Sequence, residues 1–399
     1  MTDGPDSVGL IPVSTGTDDS KAILFTSFEP SGDDHASSVV RELLARRPEL
    51  KIYAWGGPKM RRAGAEVIET TGEDAVVGMP GIEKIRQHLE LNKRIRAWLG
   101  DHPEATLHVP VDSPAANFPI CKIAQKLGRT VVHLVAPQLW AWGPWRVGKL
   151  RRCTDLVLCL LPFEETFFEK RGVPARFIGH PLFDEALDPH TLDDHAAQFP
   201  RGTHKLALLP GSRPAELRRN FPVMLSAFRA LRKETPGLVG VVGATTETVR
   251  EHLYQTAKML GGWPAGLDIE VAKTDAIVRW CDTSMVVSGT VTLQIAKQRR
   301  PMVVMYKTNK LMFNLVARWI ITTPYFCLPN LIAGREIVPE LIPYFKGHDR
   351  LVESMRPVMT DGSVREQQQK DLDEVAQKFE GLTAATQAAD AIESVFEKA

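Results

Sequence analysis

The stretch KLALLPGSRPAELRR, from Lys205 to Arg219, contains the local pattern around which the rest of the chain can be organised. An apolar run at Leu206–Leu209 is long enough for a buried strand, and it ends at Pro210-Gly211. A helix-compatible segment, Ala215–Arg219, follows at once. A strand, a tight glycine turn and a helix together direct free backbone N–H groups and the positive end of the helix dipole towards an anion.

This turn has two interpretations. In the first it is a diphosphate site, where the Gly211 and Ser212 region binds phosphate oxygens and Arg213 adds a bidentate charge. In the second it is an ordinary strand-to-helix turn, with Ser212 as N-cap and Arg213 in solvent. The stretch alone leaves both open, because short motifs often match by chance.

Length and composition limit the class of protein. A chain of 399 residues exceeds one typical core and predicts two domains of roughly 150–200 residues each. Hydrophobic residues make up 44% and charged residues 24%, which is ordinary for a soluble globular protein. The formal net charge of +1 gives no support for nucleic-acid binding.

The cysteines and the termini indicate a cytoplasmic chain. The five cysteines are scattered, odd in number and without metal-ligand spacing, so we expect reduced thiols. No apolar run is long enough to span a bilayer. Residues 1–20 are polar, lack the pattern of a signal peptide and are predicted to be a disordered leader.

Strand-like and helix-like segments alternate in both halves of the chain, which predicts an α/β protein with parallel sheets. Near the start, Ala22–Thr26 reads as a strand, SFEPSGDDHAS as a loop, and Val39–Arg46 as a helix. The predicted organisation is a leader at 1–20, a first domain at 21–185, a linker at 186–204, a second domain at 205–350 and terminal helices at 351–399.

A carboxylate stands at the end of a strand in the first half. The strand LHVPV, Leu107–Val111, is followed by Asp112-Ser113-Pro114. The carboxyl end of a strand is where a parallel sheet usually carries its chemistry, so Asp112 is a candidate catalytic residue. The alternative is that Asp112 or Ser113 only caps the next helix, with Pro114 at its first position.

The second half contains another strand–glycine–helix junction. Ser284–Val287 reads as a strand, Ser288-Gly289-Thr290 as the turn and Val291–Gln298 as the helix. Two such junctions in one sheet can converge on one pyrophosphate and its ribose. Neither is a Walker A loop, and no GxGxxG dinucleotide motif occurs.

Two segments are candidate membrane or lipid surfaces. KIRQHLELNKRIRAWL, residues 84–99, is a basic amphipathic helix, and Trp140, Trp142 and Trp145 lie beside several basic residues. Aromatic faces and cations suit a sugar, an acyl chain or an anionic membrane. Equally, the helix can be a solvated helix packed on its apolar side, and the tryptophans can belong to a core.

Taken together, these motifs resemble those of the lipid-A-disaccharide synthases, inverting glycosyltransferases of the GT-B fold. The resemblance covers about Ala22 to Leu341. The matching segments are SGD at Ser31–Asp33, GGPKM at Gly56–Met60, VDSPAANF at Val111–Phe118, QLWAW at Gln138–Trp142, DLVLCLLPFE at Asp155–Glu164, VPARFIGHPLFD at Val173–Asp184, LALLPGSRPAE at Leu206–Glu216, SGTVTL at Ser288–Leu293, PMVVMY at Pro301–Tyr306 and LPNLIAGREIVPEL at Leu328–Leu341.

The resemblance implies two Rossmann-like domains facing across a cleft, with a C-terminal helix crossing back. It also implies a reaction that joins UDP-2,3-diacylglucosamine to 2,3-diacylglucosamine 1-phosphate, without a metal or other cofactor. A peripheral location on the inner face of the cytoplasmic membrane and a homodimer follow as expectations.

The resemblance assigns residues to three roles. Asp112 is the expected base, and Arg213 the expected cation on the departing diphosphate. The expected nucleotide-sugar contacts are Gly211, Ser212, Arg213, Ser288, Gly289, Thr290, Gln294, Asn330, Arg335 and Glu336. The expected acceptor contacts are Glu29, Ser31, Gly32, Asp33, Trp140 and Trp142.

Three positions depart from the family pattern. Gln294 stands where a glutamate is usual, which weakens or alters binding of the ribose. Ala115 replaces a second aspartate near Asp112, and Phe28 replaces a glycine. These departures keep two alternatives open, a GT-B enzyme acting on another UDP-sugar and a non-catalytic paralogue that binds a nucleotide-sugar or lipid.

Overall fold

The computed structural model describes residues 21–71, 82–141, 143–308 and 323–398. The described residues fall into two compact units. The first unit ends at Val131 and also includes the chain from Val395 onwards, and the second unit spans Val132–Ser394. The predicted domain boundaries remain a prediction.

The first half of the chain builds a parallel sheet of seven strands in the order β3-β2-β1-β4-β5-β6-β7. Strand β5 crosses the boundary between the two units. The strands are β1 (Ala22–Thr26), β2 (Lys51–Gly56), β3 (Glu66–Thr70), β4 (Ala105–Pro110), β5 (Thr130–Leu134), β6 (Leu156–Cys159) and β7 (Ala175–Phe177).

The second half builds a parallel sheet of six strands in the order β10-β9-β8-β11-β12-β13. The strands are β8 (His204–Leu209), β9 (Leu238–Ala244), β10 (Leu267–Val271), β11 (Thr283–Val287), β12 (Met302–Lys307) and β13 (Glu340–Tyr344). Two parallel sheets with intervening helices confirm the predicted α/β class.

Helices connect nearly all successive strands. They are α1 (Pro30–Arg46), α2 (Pro58–Arg62), α3 (Ile82–Asp101), α4 (Pro114–Lys126), α5 (Val147–Arg151), α6 (Pro162–Glu169), α7 (Pro181–Asp184), α8 (Pro189–Ala196), α9 (Pro214–Glu234), α10 (Glu247–Met259), α11 (Thr274–Trp280), α12 (Val291–Lys297), α13 (Leu328–Ala333), α14 (Asp349–Thr360), α15 (Gly362–Gln377) and α16 (Ala384–Phe396). A short 3₁₀ turn, Pro144–Arg146, precedes α5.

The loop predicted for SFEPSGDDHAS is wrong over most of its length, because α1 begins at Pro30. Proline at the first helical position has its φ angle already set for a helix, and its missing N–H is not needed there. Gly32 fits in the first turn because it has no side chain that would meet the side chain of Ser27. A Cβ atom at Gly32 would lie 2.4 Å from Ser27 Oγ.

Helix α9 begins at Pro214 and runs without a break through Pro222. The sequence predicts two segments here, with a helix beginning at Pro222. An internal proline costs about 3 kcal/mol. Phe221 and Phe228 are fully buried on this helix, and their packing against the sheet offsets that cost.

All five cysteines are buried, and none of them is joined in a disulfide bond in the structure. Over the described ranges, none of the helices combines the length and the apolar character needed to cross a bilayer.

Candidate functional site

The second unit contains a cavity of about 470 Å³ to which both predicted strand–glycine–helix junctions contribute. Arg213 comes from the β8–α9 junction, and Ser288, Gly289 and Thr290 come from the β11–α12 junction. The other described residues that line the cavity are Gln138, Trp140, Ala141, Glu216, Tyr306, Thr308, Thr323, Tyr325, Phe326, Leu328, Leu331 and Ile342.

The β8–α9 turn requires a glycine. Gly211 has φ +104°, and a Cβ atom there would lie 2.8 Å from Glu216 Oε2. The N-cap of α9 is Arg213 and not Ser212, so this part of the second interpretation is wrong, while its expectation of an exposed Arg213 is confirmed. Ser212 is exposed in the turn before the cap.

The Arg213 side chain is 73% exposed, and its guanidinium lies 3.4 Å from Glu216 Oε1. The Arg213 backbone N–H donates to Glu216 Oε2, also at 3.4 Å. Contacts of this length bind the guanidinium weakly, so it keeps donors for an anion in the cavity. Burial, followed by the negative charge of Glu216, raises the pKa of the nearby Tyr306 phenol, which keeps that hydroxyl protonated.

The β11–α12 junction is hydrogen-bonded to another residue that lines the same cavity. Ser288 Oγ donates to the Phe326 carbonyl at 3.0 Å, while Gly289 and Thr290 are exposed. Gln294 lies one turn beyond Thr290 on α12 and is half-buried. It is not one of the described residues that line the cavity.

Asn330 is fully buried behind the cavity wall. Its Nδ2 donates to the Val338 carbonyl at 3.0 Å and to Glu340 Oε2 at 3.1 Å. Its Oδ1 accepts from the N–H groups of Ile337 and Val338. These bonds use both donors and both acceptor positions of the amide, so Asn330 supports α13, which carries Leu328 and Leu331.

The two other residues predicted from this segment lie away from the cavity lining. Arg335 donates to Asp371 Oδ1 at 2.9 Å and to Glu374 Oε2 at 3.4 Å, both on α15. Glu336 is exposed.

Several cavity residues were not predicted from the sequence, notably Gln138, Glu216, Tyr306 and Phe326. The first three stand inside the matched segments QLWAW, LALLPGSRPAE and PMVVMY, so the motifs contained a signal for them. Trp140, predicted to contact the acceptor, lines this cavity. Its indole N–H donates to Glu164 Oε1 at 2.9 Å. Trp142 lies outside the described residues.

Asp112 lies in the first unit, at the turn between β4 and α4. Asp112 has φ +47° and Ser113 has φ +38°, so two consecutive residues with side chains adopt the left-handed region. Pro114 is at the first helical position and Ser113 at the N-cap, but Ser113 makes no side-chain cap. Its Oγ donates to Glu29 Oε1 at 2.8 Å instead. The simple capping alternative therefore fails for Ser113.

The surroundings of Asp112 favour its protonated form. Burial raises the pKa of its carboxyl group, and the negative charge of Glu29 raises it further, while a hydrogen bond from the Ser113 N–H acts in the opposite direction. A carboxylate whose proton affinity is raised is better suited to accept a proton from a hydroxyl group.

The predicted acceptor loop is organised by Asp33. Its carboxylate, 5% exposed, accepts hydrogen bonds from the N–H groups of Gly57, Lys59 and Met60 at 2.9–3.1 Å. Asp33 thus binds the N-terminus of α2. Gly32 is buried beside it, whereas Ser31 and Glu29 are exposed.

We predict that Asp33→Ala lowers the free energy of unfolding by about 1.5–3 kcal/mol, because three backbone N–H groups, two of them buried, lose a charged acceptor. Urea denaturation followed by tryptophan fluorescence measures the change. Asp34→Ala is the matched control, since Asp34 is exposed and forms only a surface ion pair with Lys59. Equal effects of the two substitutions would contradict the prediction.

Among the described residues, no three His, Cys, Asp or Glu side chains are grouped so that they could hold a metal ion.

Comparison with known proteins identifies relatives along nearly the whole chain. A family model described as lipid-A-disaccharide synthetase matches residues 23–394. A lipid-A-disaccharide synthase of Myxococcus xanthus is 33% identical over 373 residues, which covers 93% of this chain and 96% of the relative. One from Anaeromyxobacter dehalogenans is 36% identical, covering 88% of this chain and 92% of the relative.

Solved structures support the fold. The glycotransferase of kitacinnamycin matches with a TM-score of 0.61 at 17% identity, over 94% of this chain and 99% of that one. The calicheamicin glycosyltransferase CalG4 matches with a TM-score of 0.56, also at 17% identity, over 95% and 98% of the two chains. At this identity the similarity shows the fold alone, which is the GT-B fold predicted from the sequence.

Proposed function

The chain belongs to the lipid-A-disaccharide synthase family, a group of glycosyltransferases, and we propose that it joins UDP-2,3-diacylglucosamine to 2,3-diacylglucosamine 1-phosphate. The products are the β(1→6) disaccharide 1-phosphate and UDP. Family membership supports lipid-A precursor sugars as the class of substrate, and the identity of the two sugars is the part proposed here.

The observation that carries the proposal is the cavity lined by Arg213, Ser288, Gly289 and Thr290. Departure of UDP leaves negative charge on the diphosphate. A guanidinium and the N–H groups at the start of α9 stabilise such charge without a metal ion. The aromatic residues Tyr306, Tyr325 and Phe326 provide apolar faces for the uracil or the sugar.

Asp112 serves as the base in this proposal. Its carboxylate takes the proton of the acceptor 6-hydroxyl while that oxygen bonds to C1 of the donor sugar. The bond between C1 and the diphosphate oxygen breaks at the same time, and UDP leaves with the electron pair. Attack on the face opposite to the leaving group inverts C1.

The proposal extends to a peripheral membrane location and a homodimer. Helix α3 presents exposed basic residues and Leu89, which is 55% exposed, and Trp145 is 68% exposed. Exposed aromatic, apolar and basic side chains favour an anionic membrane surface, from which acylated substrates are drawn.

The test is release of UDP by the purified protein. We expect release from UDP-2,3-diacylglucosamine only when 2,3-diacylglucosamine 1-phosphate is present, and little release from UDP-N-acetylglucosamine under the same conditions. Mass spectrometry of the lipid product identifies the disaccharide. Acceptor-dependent release from a different UDP-sugar would indicate another substrate pair. UDP binding without release from any donor would favour the binding-only paralogue suggested by Gln294 and Ala115.

A further inference from the structure

Asn117 lies directly beneath the turn that carries Asp112, and it is fully buried. Its Nδ2 donates to the Val111 carbonyl at 3.0 Å and to the Asp112 carbonyl at 2.9 Å. Its Oδ1 accepts the Thr26 hydroxyl proton at 2.8 Å. One amide group therefore connects the turn to the neighbouring strand β1.

The connection continues to His108. Thr26 Oγ1 lies 2.9 Å from His108 Nε2, and both side chains are fully buried. Because the single hydroxyl proton of Thr26 goes to Asn117, the ring Nε2 of His108 must carry the proton that it shares with Thr26. The result is a directed series of hydrogen bonds, His108 to Thr26 to Asn117 to the backbone of Asp112.

The turn needs such support. Left-handed backbone angles are unfavourable for residues with a Cβ atom, and here two of them, Asp112 and Ser113, are consecutive. Conformations of this kind persist only where surrounding contacts fix them. Within the first unit, Asn117 provides side-chain hydrogen bonds to this backbone from inside the fold.

No other residue type of this size meets the requirement. Aspartate would keep the acceptor for Thr26 but would lose both donors and place a negative charge against two carbonyl oxygens. Leucine would leave the two carbonyls and the Thr26 hydroxyl without their partner. The site thus selects an asparagine at this position for chemical reasons.

We propose that Asn117, held by Thr26, is a positioning residue that fixes the Asp112 carboxylate in the orientation needed for proton transfer. This inference rests on the proposed function, in which Asp112 is the base. Misplacement of a reacting group by about 1 Å can cost on the order of 100-fold in rate. Loss of the amide hydrogen bonds should therefore reduce kcat without changing the binding of the donor.

The experiment compares Thr26→Val, Thr26→Ser, Asn117→Asp and Asp112→Asn with the wild type in the full-length protein. Steady-state kinetics give kcat and the donor KM, calorimetry gives the affinity for UDP, and thermal unfolding gives Tm. We expect kcat to fall by about 10-fold or more in Thr26→Val and by on the order of 100-fold in Asn117→Asp. KM and UDP affinity should stay within about twofold.

Thr26→Ser separates positioning from general stability. Serine keeps the hydroxyl and loses only a buried methyl group, so it should lower Tm yet retain most of kcat. Thr26→Val keeps the volume but leaves Asn117 Oδ1 and His108 Nε2 without their partner, so it should also lower Tm and, unlike Thr26→Ser, should lower kcat as well. If Asn117→Asp fails to fold, this pair still decides the question.

The inference would be overturned if Thr26→Val and folded Asn117→Asp kept the wild-type kcat while Asp112→Asn was inactive. That outcome would leave the proposed base intact. The inference would also be overturned if kcat fell in proportion to the decrease in Tm in both Thr26 variants, because this would indicate a structural role alone. An active Asp112→Asn would overturn the base assignment itself, and with it this proposal.

Discussion

Asp112→Asn is expected to reduce kcat for acceptor-dependent UDP release by about 10²–10⁴-fold, the usual contribution of a general base. Asparagine keeps the size of the side chain and can occupy the same turn, but it cannot accept the proton of the acceptor hydroxyl. The affinity for UDP should be unchanged, because the residues that line the proposed nucleotide cavity belong to a different part of the chain. Initial rates with saturating donor and acceptor measure the loss.

Asp101→Asn is the matched control for this substitution. Asp101 is an exposed aspartate at the end of α3 in the same unit, and its replacement should leave kcat unchanged. An Asp112→Asn enzyme that retains kcat within a few-fold of the wild type would show that another group takes the proton.

The raised pKa of Asp112 gives this prediction a pH signature. The proposed base acts when deprotonated, so kcat/KM should fall as the pH decreases through a value above the ordinary aspartate range. Glu29→Gln removes a nearby negative charge and should move this acidic limb to lower pH.

The stability of the fold should depend on pH in the opposite direction from the activity. A pKa raised by folding adds stability only at low pH, and this stability is lost as the pH rises through the folded pKa. At neutral pH, Asp112→Asn should therefore raise Tm.

The parts of the site that could be predicted from the sequence are those encoded by adjacent residues. A strand, a turn and a helix follow one another within a few positions at Gly211 and at Gly289, and parallel pairing then brings the two turns to the same edge of the sheet. The position of Asp112 after β4 follows from the same local pattern.

Other features could not be predicted because they depend on hydrogen bonds and packing contacts that the local sequence pattern does not reveal. Arg335 is expected at the nucleotide-sugar through the family resemblance, and in the structure its guanidinium donates to Asp371, which lies 36 positions away on α15. Asn330 finds its partners within the turn that follows α13 and leads into β13, which hydrophobic periodicity does not reveal. The early start of α1 escaped prediction because SGDD is typical of a loop, and the close contact with Ser27 that leaves no room for a side chain at Gly32 is not visible in the sequence.

The second large effect is expected for Arg213→Ala, which should reduce kcat/KM by about 10²–10³-fold. The guanidinium is the cation that the β8–α9 turn brings to the cavity, and among the described residues its one ion pair is the 3.4 Å contact with Glu216. As the bond to the sugar breaks, charge grows on the diphosphate, so a cation placed there stabilises the transition state more than the ground state. The loss should consequently appear in kcat as well as in KM.

Arg213→Lys and Arg218→Ala complete the experiment. Lysine keeps the charge but not the planar pair of donors, so it should recover only part of the activity. Arg218 is an exposed arginine on the same helix, outside the described cavity lining, and its removal should change kcat/KM by less than about twofold.

If Arg213→Ala and Arg218→Ala behaved alike, the diphosphate would have to be neutralised mainly by the helix N-terminus. If Arg213→Ala weakened binding of UDP and left kcat intact, the guanidinium would hold the nucleotide equally in the ground state and the transition state, and its catalytic role would be excluded.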